Sequence, residues 1–369
     1  MMPSSSLFSF SAPTPTAPPC YALSAGDPLG IGYEITLKLL IQLASQHRHQ
    51  PLPFRLSVVA HLAELERQSL LLQLPLPSLA QYGDWLQYIP VEVARPSSAP
   101  FSAHSASPSS PPTPAQAGDI AFQSVVKAVE LQHQALNPHQ GLVTAPISKD
   151  HWWQAGHAFQ GHTELLESLA NKHVLPSSPL SALPQSYQSD MIFMYKKFIL
   201  LLLTRHVPLA NVPTALANNN NRQSVQHLIQ FLTTRLGIEQ PRLGLLGLNP
   251  HAGEIGGDEE AHVLEPLRCW VNEQTPASLS VPQPADAYFR GFNPTAPPHD
   301  AVLACYHDQG LIPMKLLAGF EAINITLGLP FLRTSVSHGT AMDIAGLGRA
   351  NATSLHDALW LLHQLCKQL

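Results

Sequence analysis

The chain has 369 residues and a mass of 40.1 kDa, with 45% apolar residues, a net charge of -5 and a pI near 6.4, enough for a large core and two domains of ordinary size. That balance, without any Lys/Arg-rich block, excludes a nucleic-acid footprint; no apolar run approaches the ~20 residues of a membrane helix, and the first residues lack the basic start and apolar segment of a signal peptide. Four cysteines, Cys20, Cys269, Cys305 and Cys366, stand far apart without a CxxC pair, which excludes a thiolate zinc finger and fits a reduced, cytoplasmic setting.

In chain order, residues 1–19 are Pro/Ser/Ala-rich and are expected to form a disordered extension, because such composition buries too little apolar surface to offset the entropy of ordering. "CYALSAG" reads as a strand and "GYEITLKLLIQLA" as a helix with apolar residues at helical spacing. "FRLSVVA" is strand-like. The segment at about 96–116 repeats the Pro/Ser-rich composition and is expected to be a disordered insertion, followed by the helix "DIAFQSVVKAVELQHQAL". "GLVTAP" is a strand, and "QGHTELLESLA" starts a helix at about His162–Thr163. Leu175 to Asp190 reads as a milder surface insertion. "MIFMY" and "FILLLLT" form two strands joined by a tight turn at "KK". "RQSVQHLIQFLTTRLG" is a helix stopped by Gly237; "PRLGLLGL" and "AVLACY" are strands. Alternation of this kind predicts an α/β fold with a largely parallel sheet.

In such sheets ligands bind beyond the carboxyl ends of the strands. Three histidines fall there: His206 after "FILLLLTR", His251 after "PRLGLLGLNP" and His307 after "AVLACY". Three imidazoles from separate strand ends suit a catalytic metal with open coordination positions. The competing reading is that each caps or orients its own loop. Asp286 and Asp308 are candidate acids supporting such a site, or plain turn residues.

A second cluster supplies Lys315, Asn324 and Arg333 within an otherwise mostly apolar segment. A lysine, an amide and an arginine brought together form an anion site, the arginine gripping phosphate or carboxylate through two N–H groups. His162 and Thr163, at a helix start, suit a phosphate, unless Thr163 is an ordinary cap. No GxGxxG follows a strand and no GxxxxGK[ST] occurs, so nucleotide motifs give no support to a dinucleotide enzyme.

"GDPLGIGYE", "TAPISK", "GHTELL", "TRHVPL", "GLNPHAGE", "YHDQGLIPMK" and "NITLGLPFLRTSVSHGTAMDIAG" occur in this order. From about Tyr21 onward the chain thereby resembles the 4-hydroxythreonine-4-phosphate dehydrogenase family of pyridoxine biosynthesis. The resemblance implies an isocitrate/isopropylmalate dehydrogenase-like fold, which binds NAD without a glycine fingerprint. It implies two α/β subdomains with a cleft between them: residues 20–150 with 321–369, and residues 151–320, the latter carrying dimer and metal-binding elements. It further implies a homodimer whose active sites lie at the subunit interface, NAD or NADP as cofactor, and one divalent ion (Zn, Mg or Co) per site. His206, His251 and His307 are the implied metal ligands, drawn from both subunits; His162, Thr163, Lys315, Asn324 and Arg333 are the implied contacts to a phosphorylated substrate.

The implied reaction is NAD-dependent oxidation of 4-phosphooxy-L-threonine, followed by decarboxylation. Dehydrogenation of D-threonate or D-erythronate 4-phosphate is the alternative within the same class; a non-catalytic metal- and phosphate-binding protein is the alternative outside it. The chain departs from the family pattern at three places: a shortened loop after His251 in "HAGEIGGDEE", Ser337 in place of an aspartate, and Tyr33 in place of a proline.

Overall fold

A computed structural model describes residues 17–78, 83–93, 110–133, 139–172 and 186–367. Among them, eleven strands form one sheet: β1 (Cys20–Ser24), β2 (Arg55–Ala60), β3 (Leu86–Pro90), β4 (Leu142–Thr144), β5 (Asp190–Tyr195), β6 (Phe198–Leu202), β7 (Arg242–Leu246), β8 (Ser278–Gln283), β9 (Ala301–Ala304), β10 (Ile323–Leu327) and β11 (Arg333–Val336). Their spatial order is β3-β2-β1-β4-β11-β10-β5-β6-β9-β7-β8. Pairing is parallel except across β11-β10, β10-β5 and β5-β6. The helices that position the site are α1 (Gly32–His49), α2 (Leu62–Leu72), α3 (Pro114–Gln132), α4 (Lys149–Gln154), α5 (His162–Lys172), α6 (Val212–Asn218), α7 (Asn221–Leu236), α8 (Glu265–Gln274), α9 (Ala285–Phe289), α10 (His307–Ala318) and α11 (Thr353–Lys367).

Strands β6 and β9 are apolar along their whole length, the pattern of strands covered on both faces. Every residue of β6 and of β9 is buried. The β5–β6 hairpin turns on Lys196 and Lys197, as the doubled lysine predicts; Lys196 takes a left-handed φ of 53° and lays its Nζ 4.8 Å from the Tyr195 ring centroid. Gly237 ends α7 with a φ of 68°, the left-handed cap that glycine adopts without penalty.

Strands β1 to β4 with β10 and β11 make up one half of the sheet, and β5 to β9 the other. The β10–β5 ladder, Ile323↔Met194 through Leu327↔Asp190, joins the halves into a continuous sheet. Helix α4, which spans the expected boundary at residue 150, and α5, which follows it, bury Trp152, Leu165, Leu166 and Leu169 in the same apolar cluster as Val125, Ala128 and Leu142. They pack with the first half.

Two expected boundaries shift. Helix α3 begins at Pro114, inside the stretch expected to be an unstructured insertion at about 96–116. The Thr113 hydroxyl accepts from Gln116 N, and the Gln116 side chain accepts from Thr113 N, a capping box that starts the helix two residues before Gln116. The Leu175–Asp190 segment also ends in structure. Asp190 is buried in β5, its carboxylate accepting from Ser224 Oγ and pairing with His227 Nδ1, both at 2.7 Å. Residues 1–16, 94–109 and 173–185, on which the rest of those expectations falls, lie outside the described residues. Tyr33, at the position where a proline was noted as usual, is fully buried and its hydroxyl accepts from His61 N at 3.1 Å.

Candidate active site

A cleft of about 270 Å³ opens across the middle of the sheet, where the two halves meet. Its wall comes from the segment after β4 (Pro146, Ile147, Lys149), the first turn of α5 (His162, Thr163, Glu164), and β5 (Met191, Phe193). His206 after β6, His307 and Lys315 of α10, Asn324 of β10, and Arg333 with residues 335–339 in and after β11 complete it. Seven residues named from sequence (His162, Thr163, His206, His307, Lys315, Asn324 and Arg333) therefore converge on one cavity. His206 and His307 follow the carboxyl ends of β6 and β9, as the α/β rule requires, whereas Asn324 and Arg333 stand near the amino ends of β10 and β11.

Arg333 is 2% exposed. Its Nε and Nη2 donate to Thr144 Oγ1 at 3.1 and 2.7 Å, and its Nη1 donates to Thr326 Oγ1 at 3.1 Å. Among the described residues no carboxylate approaches it. Burial pushes its pKa down to about 9. A buried cation held only by hydroxyls is unfavourable unless an anion completes the site. Nearby polar atoms are also left waiting. His162 Nε2 and Asn324 Oδ1 are buried without hydrogen-bond partners, and buried polar atoms of native proteins are rarely so. Burial and then the charge of Arg333 push the His162 pKa well down, so its ring is neutral and free to bond a ligand. Thr163 lies inside the first turn of α5, which starts at His162; it is buried in the wall rather than acting as a cap.

His206 and His307 face each other with ring centroids 6.0 Å apart. Asp308 Oδ1 lies 2.6 Å from His307 Nδ1, which leaves Nε2 of His307 available as a ligand atom, the usual carboxylate–histidine support of a metal site. Partial desolvation, followed by Lys149, pushes the His206 pKa down and keeps that ring neutral, the form that binds metals. His251 does not join them. It sits on the loop after β7 with a left-handed φ of 55°, exposed, and outside the cleft wall. Among the described residues no three His, Cys, Asp or Glu side chains are placed to hold a metal ion. Asp286, in α9, is likewise exposed and does not line the cleft.

Several wall residues were not singled out from sequence. Lys149 and Glu164 lie inside "TAPISK" and "GHTELL", but ordinary composition hid them among similar charges. His338 and Gly339 also line a second cavity of about 510 Å³, with Ile31, Ala341, Arg349 and Asn351 in its wall. Burial lowers the His338 pKa; its Nε2 lies 2.9 Å from Ser354 Oγ. Ser337 is in the first cavity's wall.

Backbone closeness holds this wall together. Gly26 takes a φ of +77°, and a Cβ there would lie 2.3 Å from Pro146 O; in α3, a Cβ on Gly118 would lie 1.9 Å from His151 O. Only glycine lets these segments approach so closely. Asp27, fully buried beside Gly26, bonds His151 Nδ1 at 2.7 Å and accepts from Leu29 N at 2.9 Å.

An eleven-stranded α/β sheet with a cation-lined cleft defines an α/β protein whose pocket suits a small anionic ligand. The family described as Pyridoxal phosphate biosynthetic protein PdxA matches residues 59–362, and the chain belongs to that family. It is 36% identical over 359 residues to the 4-hydroxythreonine-4-phosphate dehydrogenase of Synechococcus sp. (strain JA-2-3B'a(2-13)), covering 94% of this chain and 97% of that protein. It is 37% identical over 358 residues to the enzyme of the same name from Thermosynechococcus vestitus, covering 94% and 96%. The crystal structure of 4-hydroxythreonine-4-phosphate dehydrogenase from Klebsiella pneumoniae superposes with a TM-score of 0.70 at 30% identity, covering 94% of this chain and 99% of that one.

Proposed function

We propose that the protein oxidises the secondary alcohol of 4-phosphooxy-L-threonine with NAD or NADP as acceptor. The product is 2-amino-3-oxo-4-phosphooxybutanoate, which loses CO₂ to give 3-amino-2-oxopropyl phosphate, a step in pyridoxal phosphate biosynthesis. One observation carries this reading: Arg333 is a buried guanidinium without a carboxylate, in a cleft that also holds Lys315 and Asn324. These groups, with His162 and Thr163, would bind and orient the substrate's phosphate and carboxylate. The names of the relatives support the choice of substrate.

The second cavity supports the choice of acceptor. It shares His338 and Gly339 with the first, so a dinucleotide lying there would bring its nicotinamide to that common edge and take the hydride. His206 and His307 fit two positions of a divalent ion such as Zn, Mg or Co, their rings standing 6.0 Å apart between centroids. We infer that a second copy of the chain supplies His251. Exposed apolar side chains flank the two partial sites: Val207 and Leu209 after His206, Ile312 and Leu316 around Lys315, and Ile255 after His251. A homodimer that buries them would bring the loop after β7 over the partner's cleft. When bound, such an ion would stabilise negative charge developing on the substrate oxygen.

No described helix is long and apolar enough to cross a membrane, and the four cysteines are unpaired, which supports a reduced, cytoplasmic setting. The deciding experiment is NADH formation from 4-phosphooxy-L-threonine by the purified protein with added divalent metal. An absence of NADH with every metal and with both dinucleotides would overturn the reading.

A further inference from the structure

A third cavity, of about 330 Å³, lies between α7 and the chain return that joins β10 to β11. It shares no wall residue with the substrate cleft or with the cavity at His338. Phe231, Leu329, Pro330 and Phe331 give it apolar faces, and Tyr187, Gln230 and Thr234 add polar ones. Its basic groups are His227 and Arg235; among the described residues no carboxylate lines it.

The imidazole of His227 is fixed from behind. Asp190, 4% exposed, accepts from Ser224 Oγ and holds His227 Nδ1, both at 2.7 Å. The serine bonds the carboxylate and not the ring, so the three residues orient an imidazole and do not activate a nucleophile. Among the described residues His227 Nε2 makes no hydrogen bond. With a proton on each nitrogen, the ring donates to Asp190 on one side and to an anion on the other. Arg235 donates from Nη1 to Leu365 O at 3.3 Å, and among the described residues it makes no ion pair.

The same wall leads to the substrate's arginine. Gly328, the first residue after β10, has a φ of +75°, and a Cβ there would lie 2.1 Å from Gln188 O and 2.6 Å from His227 Cε1. The imidazole therefore packs directly on the start of the return. At the other end of the return stands Arg333, whose Nη1 donates to Thr326 Oγ1 at 3.1 Å. Thr326 lines this third cavity, and Arg333 lines the cleft.

We propose that the third cavity is a second ligand site, for a small planar aromatic compound carrying one phosphate or carboxylate, and that its occupancy acts on Arg333 through the β10–β11 return. The volume is at the lower end of small-molecule sites, about 300–1,000 Å³. The ring lies against Phe231 and Phe331, and the anion takes charge-assisted bonds from Arg235 and His227. A ligand at Nε2 holds the ring that packs on Gly328 and so steadies the return. Substrate affinity in the cleft then rises, and by linkage substrate tightens the second site by the same factor.

The test uses phenyl phosphate, benzoate and inorganic phosphate, titrated by calorimetry into protein whose cleft is saturated with 4-phosphooxy-L-threonine, without dinucleotide. Phenyl phosphate or benzoate should bind the saturated protein, with inorganic phosphate roughly tenfold or more weaker because no ring is buried. His227→Leu would leave buried Asp190 short of a partner, so the variants are Arg235→Gln and Thr234→Trp, the second filling the cavity from an exposed position. Arg235→Gln should lose roughly 10- to 100-fold in affinity for the aromatic anion, and Thr234→Trp should lose binding altogether, in variants that melt like the wild type. Benzoate should raise the affinity for 4-phosphooxy-L-threonine roughly fivefold or more.

A fall in substrate affinity, the mark of competition inside the cleft, overturns the proposal, and an unchanged affinity overturns the link to Arg333. Inorganic phosphate binding as tightly as phenyl phosphate overturns the aromatic class. Should 4-phosphooxy-L-threonine itself not bind, the substrate reading fails separately. Loss of phenyl phosphate binding in Arg235→Gln and Thr234→Trp, but not in Lys315→Ala, then still assigns the second site, whereas loss in Lys315→Ala alone places the ligand in the cleft and overturns it.

Discussion

Arg333 and Thr144 are joined twice: the guanidinium Nε and Nη2 both donate to the one threonine hydroxyl, at 3.1 and 2.7 Å. A neutral hydroxyl fixes the plane of the guanidinium without cancelling its charge. The charge is thus held in place and left for a ligand.

Removing it should show mainly in KM, because the substrate's anionic groups do not change during the reaction and are bound equally in ground and transition states. Arg333→Ala and Lys315→Ala are each expected to raise KM on the order of 10- to 100-fold. Arg333→Lys should recover little, lacking the planar fork. Thr144→Val keeps the charge but loosens its aim, for a smaller rise of roughly 2- to 10-fold. Steady-state kinetics on variants that melt like the wild type decide this, and an unchanged KM in Arg333→Ala would move the anion site elsewhere.

The same buried charge predicts a trade between stability and binding. Arg333→Met, which replaces an uncompensated cation with an apolar chain of similar length, should raise the melting temperature of the ligand-free protein. Inorganic phosphate should raise the melting temperature of the wild type by mass action and leave that of Arg333→Met unmoved. Thermal scans with and without phosphate test both halves. A ligand-free Arg333→Met that melts below the wild type would show that the guanidinium stabilises the fold by itself.

His206→Ala, His251→Ala and His307→Ala should each lose bound metal and nearly all turnover. A site shared between two chains makes a sharper demand. Inactive His206→Ala and His251→Ala subunits, unfolded and refolded together, form mixed dimers in which one of the two sites keeps all its ligands. Random assortment should restore roughly a quarter of wild-type activity. Failure of refolded mixtures to regain activity, while refolded wild type does, would place all the ligands in one chain.

Acid should weaken the fold through buried histidines. His363 is 1% exposed, its Nδ1 3.0 Å from the Tyr21 hydroxyl, and burial followed by Lys367 lowers its pKa to about 4. Between that value and the ordinary 6.5, the unfolded chain binds more protons than the folded one. Stability therefore rises with pH across this window and is lost as pH falls from about 6.5 toward 4, by at most about 3 kcal/mol from this group. Urea titrations at several pH values, on wild type and His363→Leu, should show a shallower acid slope in the variant; equal slopes would mean that His363 does not titrate this way.

Much of this was legible in the sequence where local signals and burial agree. The all-apolar runs of β6 and β9, the doubled lysine of the hairpin and the Gly237 cap each fixed their elements. Two of the three strand-end histidines (His206 and His307), the cluster of Lys315, Asn324 and Arg333, and the helix start at His162 and Thr163 together named seven residues of one cleft. What escaped has physical causes. The start of α3 lay in Pro/Ser-rich composition, and only the spacing of Thr113 and Gln116 marks the capping box. The antiparallel pairs β11-β10 and β10-β5 depend on a chain return that no local period encodes. Lys149 and Glu164 look like surface charges until α4 and α5 fold their apolar faces onto the first half. The separation of His251 from His206 and His307 is a matter of tertiary placement, which spacing along the chain does not encode.

The position of β11 also governs when the cleft comes into being. It lies between β4 and β10, so Arg333 meets Thr144 across 189 residues of chain. A strand that closes so long a loop must wait for most of the polypeptide, and topologies dominated by distant pairings form slowly. On the ribosome β1, β2 and β4 emerge well before β11, so β4 keeps one edge unpaired until β11 has been made. During that interval the exposed edge is open to wrong partners, and the nascent protein can bind no substrate at Arg333 until β11 has emerged.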